Sequence, residues 1–321
     1  MTLLALQPIK TLMNKYQFRA MGTTITLEIN HLFADYLFEE AKEKLLDYEK
    51  RFSANDPNSL LMQINRFAGQ KAVQVDAELF ELIKFGKRHS LNPTTTLNIA
   101  IGPLVKLWKI GFEGARLPQT SEIDARLELI DPHLITLSEE DSSVYLEKQG
   151  MEIDLGALAK GYFADKIKSL FVEAGVTEGL INLGGNILLI GSHPLHSDGL
   201  WRIGVQNPKK DRHETIGMLF VRDQSIVTSG IYERTLEIKG ESYHHIFDTN
   251  TGYPVKNDLA SLTVITKKSL DAELYTTLYY NRMSDEVIAS IDAIAGVEAV
   301  VITRAGDVLL SKGAAEIFIK G

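Results

Sequence analysis

Between residues 201 and 265 the chain reads as one short strand after another, at 202–205, 217–221, 225–228, 235–238, 243–247 and 261–265. The 3.6-residue periodicities of helices lie elsewhere. Strands and helices therefore mix without the regular strand–helix–strand alternation of a doubly wound parallel sheet. An α+β architecture of mixed, largely antiparallel sheets covered by helices is the expectation. Upstream, alternation over 16–29 predicts one strand, and the apolar spacing over 32–52 an amphipathic helix. Ser53 to Ser59 is dense in turn formers, with Ser59 placed to cap a helix through Asn65. Helices are expected over 77–90, ending before Asn92-Pro93, over 99–108 with Pro103 in the first turn, and over 120–131. Strands follow at 134–137 and 144–148, then a helix over 161–174. Residues 180–190 read as one buried strand whose Gly184-Gly185 pair marks a bulge or a close backbone approach. Helices over 270–280 and 284–295 precede closing strands at 299–303 and 308–310. No low-complexity linker or short repeat interrupts this pattern, so residues 16–321 are expected to form a single domain behind an extension at 1–15.

Composition excludes several classes of function. A length of 321 residues with 45% hydrophobic content supports a substantial core. A net charge of −8 argues against a general nucleic-acid binder, which needs a basic face. The absence of cysteine removes disulfides, thiolate metal sites, a cysteine nucleophile and a lipid-modified cysteine. The opening ten residues carry a short apolar patch but no basic region before it, and no apolar run reaches the roughly 18 residues of a membrane span. A cytoplasmic protein without a membrane span is the expectation.

Three stretches could carry chemistry. Asp154-Leu-Gly156-Ala157-Leu-Ala-Lys160-Gly161-Tyr162 runs from an apolar strand end into a helix start, where small residues admit a ligand and the helix terminus attracts anions. It is neither GxxxxGK[ST] nor GxGxxG. His244-His245, followed by the turn-forming Asp248-Thr-Asn-Thr-Gly-Tyr-Pro254, puts a histidine at a strand end beside an ordered loop, as proton transfer requires; a surface hairpin with incidental histidines reads equally well. Glu273 and Thr277, four apart on one helix, could offer oxygen to one hard cation such as magnesium, although a solvated helix face has the same spacing and Asp271 is equally available. Gly184-Gly185-Asn186 and Thr228-Ser229-Gly230 read as turns that could line a nucleotide pocket. Trp108, Tyr162 and Tyr253 are either stacking platforms or core.

Taken together, Met21-Gly22-Thr23, Ser53 and Ser59 before Asn65, Ile101-Gly102-Pro103 through Trp108, the Asp154–Asp165 block, Asn182-Leu-Gly-Gly-Asn186, Thr228-Ser-Gly230-x-Tyr232-Glu-Arg234 and His245-x-x-Asp248-x-x-Thr251-Gly-Tyr-Pro254 occur in one order. In that order they resemble the ApbE family of FAD:protein FMN transferases, over nearly the whole chain from Tyr16 to Leu310. The resemblance implies magnesium-assisted cleavage of FAD, as substrate, with FMN passing to a threonine or serine hydroxyl of an acceptor protein bearing an FMN-binding domain, and AMP leaving. It implies His245 as catalytic base, FAD contacts at Met21, Asn55, Ala100, Ile101, Gly102, Asp154, Lys160 and Ile246, and metal ligands at Ala157 (through its carbonyl), Glu273 and Thr277. The family's usual Asp-Ala-Leu-Ser/Ala-Thr reads Ala272-Glu273-Leu-Tyr-Thr276-Thr277 here. Aligning Glu273 with the aspartate keeps the spacing to Thr277; the other register puts Ala272 and Thr276 at the metal. Asn55 stands where many members place an aromatic residue, and Thr249 replaces the usual proline. The alternatives are an FAD pyrophosphatase yielding FMN and AMP, and an FAD-binding protein without turnover.

Overall fold

The computed structural model describes residues 13–92, 95–210 and 214–321. Residues 1–12 of the expected extension and Pro93 of the expected helix stop lie outside the described residues.

The strand expected over 16–29 is two strands, β1 (Asn14–Ala20) and β2 (Thr23–Ile29), antiparallel from Asn14↔Ile29 to Ala20↔Thr23. The chain reverses at Met21 and Gly22, with φ of 53° and 71°. Two consecutive left-handed residues form a hairpin turn whose twist matches the strands. Alternation continues on both sides of such a turn, so periodicity alone does not see it. Helices α1 (Ala34–Phe52) and α2 (Leu60–Arg66) follow, and the Ser59 hydroxyl caps α2 by accepting from Met62 N at 2.9 Å. Next come β3 (Val73–Gln74), α3 (Ala77–Ser90), α4 (Gly102–Trp108) with Pro103 in its first turn, and α5 (Thr120–Leu127). Helix α5 stops four residues before the expected end, ahead of a 3-10 turn at Pro132–Leu134. Strands β4 (Ile135–Ser138) and β5 (Ser143–Leu146) make a small sheet with β3.

Helix α6 (Ala159–Glu173) leads to β6 (Gly179–Leu183) and β7 (Asn186–Ile190). Of the two readings of the glycine pair, a bulge within one strand and a turn, the structure has the turn: Gly184 and Gly185, with φ of 69° and 104°, reverse the chain into a hairpin. A Cβ on Gly184 would also lie 2.3 Å from Thr23 Oγ1. The remaining elements are β8 (Trp201–Gln206), β9 (Thr215–Val221), β10 (Ser225–Gly230), β11 (Thr235–Ile238), β12 (Glu241–His244), β13 (Leu259–Thr266), α7 (Ser269–Leu278), α8 (Ser284–Asp292), β14 (Glu298–Thr303), β15 (Val308–Leu310), α9 (Ala314–Ile317) and β16 (Phe318–Lys320). Residues 228–230, read as a turn, are the end of β10, paired with β13 from Thr228↔Thr263 to Gly230↔Ser261. Elements β3, α9 and β16 escape a periodicity reading because two to four residues hold no period.

The main sheet has the order β1-β2-β6-β7-β10-β13-β14-β15, with antiparallel neighbours throughout. One face carries Ile25, Leu27, Ile181, Leu183 and Leu188 against α1 and α6, and Val227, Leu262, Val264 and Val301 against α7 and α8. The other face, with Leu189, Ile226, Ile265 and Ile302, packs on the β16-β9-β8 sheet. Both faces are covered, so β13 is buried at every position, Ser261, Thr263 and Thr266 included. Among the described residues no helix is long and apolar enough to cross a membrane.

Candidate functional site

The Asp154 stretch is held from both sides by backbone. Asp154 N donates to Ile99 O at 2.8 Å, Gly102 N donates to Glu152 O at 3.2 Å, and Ile101 and Glu152 form an isolated parallel bridge. The strand expected before Asp154 is thus only that bridge. Gly102 is required there, since a Cβ would meet Glu152 Cβ at 2.6 Å and Glu152 O at 2.8 Å. Residues 100–102 and Asp154 are brought together by these contacts. Buried Asn65 grips residue 153 at both backbone atoms, accepting from Ile153 N at 2.7 Å and donating to Ile153 O at 3.0 Å. Asn98 likewise accepts from Ala100 N at 2.9 Å. In the sequence Asn65 is legible only as the end of a helix and as part of the family pattern, and Asn98 not at all, because isolated asparagines carry no periodic signal.

Asp154 Oδ1 accepts from Gly156 N at 2.7 Å, turning the chain toward Ala157 and α6. Its recessed position pushes the carboxyl above the usual aspartate range, against the Gly156 N–H and the charges of Arg234 and Lys106. Lys160 and Gly161 then open α6, which approaches α7 closely: a Cβ on Gly161 would lie 2.5 Å from Ser269 O and 2.7 Å from Glu273 Cγ. Asp165, one turn along α6, accepts from Ser269 N at 2.8 Å and Leu270 N at 2.9 Å, so a carboxylate caps the start of α7. Glu273 is 6% exposed and takes a 2.8 Å hydrogen bond from Asn186 Nδ2 to Oε1. Burial pushes its carboxyl up, while the Lys160 charge and the Asn186 amide pull the other way.

Thr277 is half-buried on the same helix, its carbonyl accepting from Thr96 Oγ1 at 2.5 Å. Ala272 instead packs among Val227, Leu262 and Val264, and fully buried Thr276 donates its hydroxyl to Glu273 O. The charge of Asp271 bears on His89, Tyr275 and Asp165. Among the described residues no three His, Asp or Glu side chains cluster as a metal cage. A buried carboxylate, a threonine hydroxyl and a backbone carbonyl fit a hard cation only if ligand oxygens complete its shell, which is how magnesium binds with phosphates.

The two histidines have different fates. His244 is buried, with Nε2 donating to Val255 O at 3.0 Å and Nδ1 accepting from Ile246 N at 3.3 Å, so both nitrogens are engaged. His245 lies half-exposed in a recess just past β12, where Nδ1 faces Arg234 O at 3.4 Å and, among the described residues, no hydrogen bond engages Nε2. Depth in the recess, then the Arg234 charge, lowers its pKa to about 4, with Lys160 adding to the effect. His245 is therefore neutral at physiological pH and able to accept a proton at Nε2. Lys160 acts on both Glu273 and His245, which joins the α6–α7 site to the histidine loop.

That loop is clamped to α4: Trp108 Nε1 donates to Gly252 O at 3.0 Å, and Gly252 has no room for a Cβ, which would lie 2.4 Å from Ile123 Cγ2. Trp108 and Tyr253 are thus packing partners of the loop, and Tyr162 packs on Tyr48 and Phe52. Ile246, half-buried, follows His245 and accepts from Val255 N. Met21 and Asn55 lie apart from this group. Asn55 lines an open depression of about 460 Å³ with Glu49 and Ser53, and Met21 N donates to Glu49 Oε1 at 2.9 Å. The end of α1 bordering it reaches α6 through Phe52 and Tyr162.

Known proteins share both this sequence and this fold. The sequence pattern of the ApbE family matches residues 21–301. An FAD:protein FMN transferase of Klebsiella pneumoniae is 39% identical over 299 residues, 92% of this chain and 91% of its own. One of Treponema pallidum is 34% identical over 82% of this chain and 76% of its own. Among solved structures, the ApbE protein of Thermotoga maritima superposes with a TM-score of 0.86 at 25% identity, over 95% of this chain and 99% of the other. The Pseudomonas stutzeri flavinyl transferase ApbE gives 0.83 at 22% identity, over 97% and 98%, a likeness of fold.

Proposed function

The chain belongs to the ApbE family, and from that premise we propose how it works as an FAD:protein FMN transferase: magnesium-dependent transfer of FMN to a threonine or serine hydroxyl of an acceptor flavoprotein, with AMP as the other product. The observation that carries the reading is that the charge of Lys160, at the start of α6, bears both on buried Glu273 and on His245, an imidazole that is neutral at physiological pH. His245 Nε2 takes the proton of the acceptor hydroxyl, whose oxygen attacks the FMN phosphorus; the bond from that phosphorus to the bridging oxygen breaks and AMP departs. The carbonyl of Ala157, the carboxylate of Glu273 and the hydroxyl of Thr277 would hold magnesium, which when bound offsets phosphate charge. Lys160 adds fixed positive charge on the same side, and Asp154 with the Ala100–Ile101–Gly102 turn, Met21, Asn55 and Ile246 contacts FAD.

The experiment incubates the protein with FAD, magnesium and an FMN-binding acceptor domain, and reads covalent flavin fluorescence on the acceptor in a denaturing gel. Signal with the unaltered protein and its loss with His245→Ala supports the reading. Equal signal in that variant removes His245 from the base role. AMP release without acceptor labelling would select the pyrophosphatase, and FAD binding without AMP release the inert binder.

A further inference from the structure

The hydrogen bonds around Glu273 form a closed, directional chain. Asp165 on α6 fixes the amide of Ser269. The Ser269 hydroxyl donates to Asn186 Oδ1 at 2.8 Å, and Asn186 Nδ2 donates to Glu273 Oε1 at 2.8 Å. Ser269, Asn186 and Glu273 are 0%, 2% and 6% exposed. An asparagine amide can face either way, but a carboxylate accepts only from its NH2 end, which leaves Oδ1 to accept from the Ser269 hydroxyl. The backbone that carries this amide is fixed by strand pairing, because Asn186 opens β7 directly after the Gly184-Gly185 reversal and pairs with Leu183. A free glutamate side chain samples many rotamers. Here one oxygen is tied to the sheet, and no other hydrogen bond to the carboxylate exists among the described residues.

We propose that Asn186, held by Ser269, is the positioning residue that presents Glu273 Oε2 to the cation. The proposal rests on Glu273 being a magnesium ligand. Asn186 touches neither metal nor substrate; it removes the orientational freedom that a glutamate would otherwise lose only on binding. Outer-shell partners of this kind are worth about 10–100-fold in metal affinity.

The test titrates Mg2+ calorimetrically into the full chain saturated with FAD, without acceptor, for the unaltered protein, Glu273→Gln, Asn186→Leu and Ser269→Ala. Asn186→Leu keeps the volume and removes the donor; Ser269→Ala removes the hydroxyl that steadies the oxygen end of the amide and decides the question if the leucine variant does not fold. The expected result is a 10–100-fold weaker Mg2+ affinity in Asn186→Leu and a loss of threefold or more in Ser269→Ala. Transfer assays should then show a raised KM for Mg2+ with kcat recovered at saturation, a rescue that a general packing defect would not allow. Unchanged Mg2+ affinity in the folded variants, with Glu273→Gln impaired, overturns the role of Asn186 alone. Unchanged affinity in Glu273→Gln overturns the ligand assignment beneath it.

Discussion

Replacing Gly161 by alanine sets two effects of opposite sign against each other. In the first turn of α6, alanine is favoured over glycine by about 1 kcal/mol of helix propensity. Its Cβ, however, would sit 2.5 Å from Ser269 O and 2.7 Å from Glu273 Cγ. Ordinary contacts need about 3.5 Å, so α6 and α7 must separate by about 1 Å. Overpacking of this kind costs about 1–3 kcal/mol. The obstacle is backbone pinned by two hydrogen bonds, from the amides of Ser269 and Leu270 to the Asp165 carboxylate, not a side-chain tip that can swing aside, so the upper part of that range applies. The net expectation is a destabilisation of about 1–2 kcal/mol, read as a lower urea midpoint at unchanged slope. The same displacement moves Glu273 against Lys160, and a misplacement of about 1 Å can cost about 100-fold in rate, so FMN transfer should fall by about 10–100-fold. A variant at least as stable as the parent, with an unaltered transfer rate, would refute the argument: the two helices could then part freely, and their approach would not set the site.

Further predictions concern single groups. Because His245 titrates near 4, the pH profile of kcat/KM for acceptor flavinylation should show no limb at 6.5; a limb there that disappears in a His245 variant contradicts the assigned environment. His244 is lowered to about 4 by burial, so the folded state binds fewer protons than the unfolded one and stability falls as pH drops from about 6.5 toward 4. Between pH 7 and 5 this amounts to about 2 kcal/mol, measurable as the difference in pH dependence of urea unfolding between the parent and His244→Gln, and equal slopes would exclude it. Asn65→Ala strands the buried N–H and C=O of Ile153 and should cost about 2–4 kcal/mol. It should also weaken FAD binding through Asp154, seen by flavin fluorescence titration; full stability with full affinity would count against the clamp.

Much of the architecture was legible in the chain because helices and strands carry their own periods. The limits of α3 at 77 and 90 and of β11 at 235 and 238 follow from local patterning, with Asp76 capping α3. Two reversals were not legible. At Met21-Gly22 and Gly184-Gly185 the alternation resumes after the turn with its phase reversed, a shift of one residue that a bulge would also produce, and the pairing of β1 with β2 and of β6 with β7 shows the hairpins. Residues 228–230 look like a turn in isolation and become strand because β13 supplies hydrogen-bond partners.

By itself the sequence determined the chemical inventory: no thiols, a carboxylate and a threonine four apart on one helix, a lysine at a helix start, and two adjacent histidines. These are covalent facts and local periods, available without knowing the fold. Only the tertiary structure decided which members of the inventory differ from their neighbours. It engaged both nitrogens of His244 and only Nδ1 of His245 among the described residues, turned Ala272 into the core, brought Glu273 under the charge of Lys160, and set Asn186 against Glu273. The residues of that last pair are 87 positions apart in the chain. Burial and orientation are properties of what surrounds a side chain, and those surroundings come together only when α6, α7 and β7 pack.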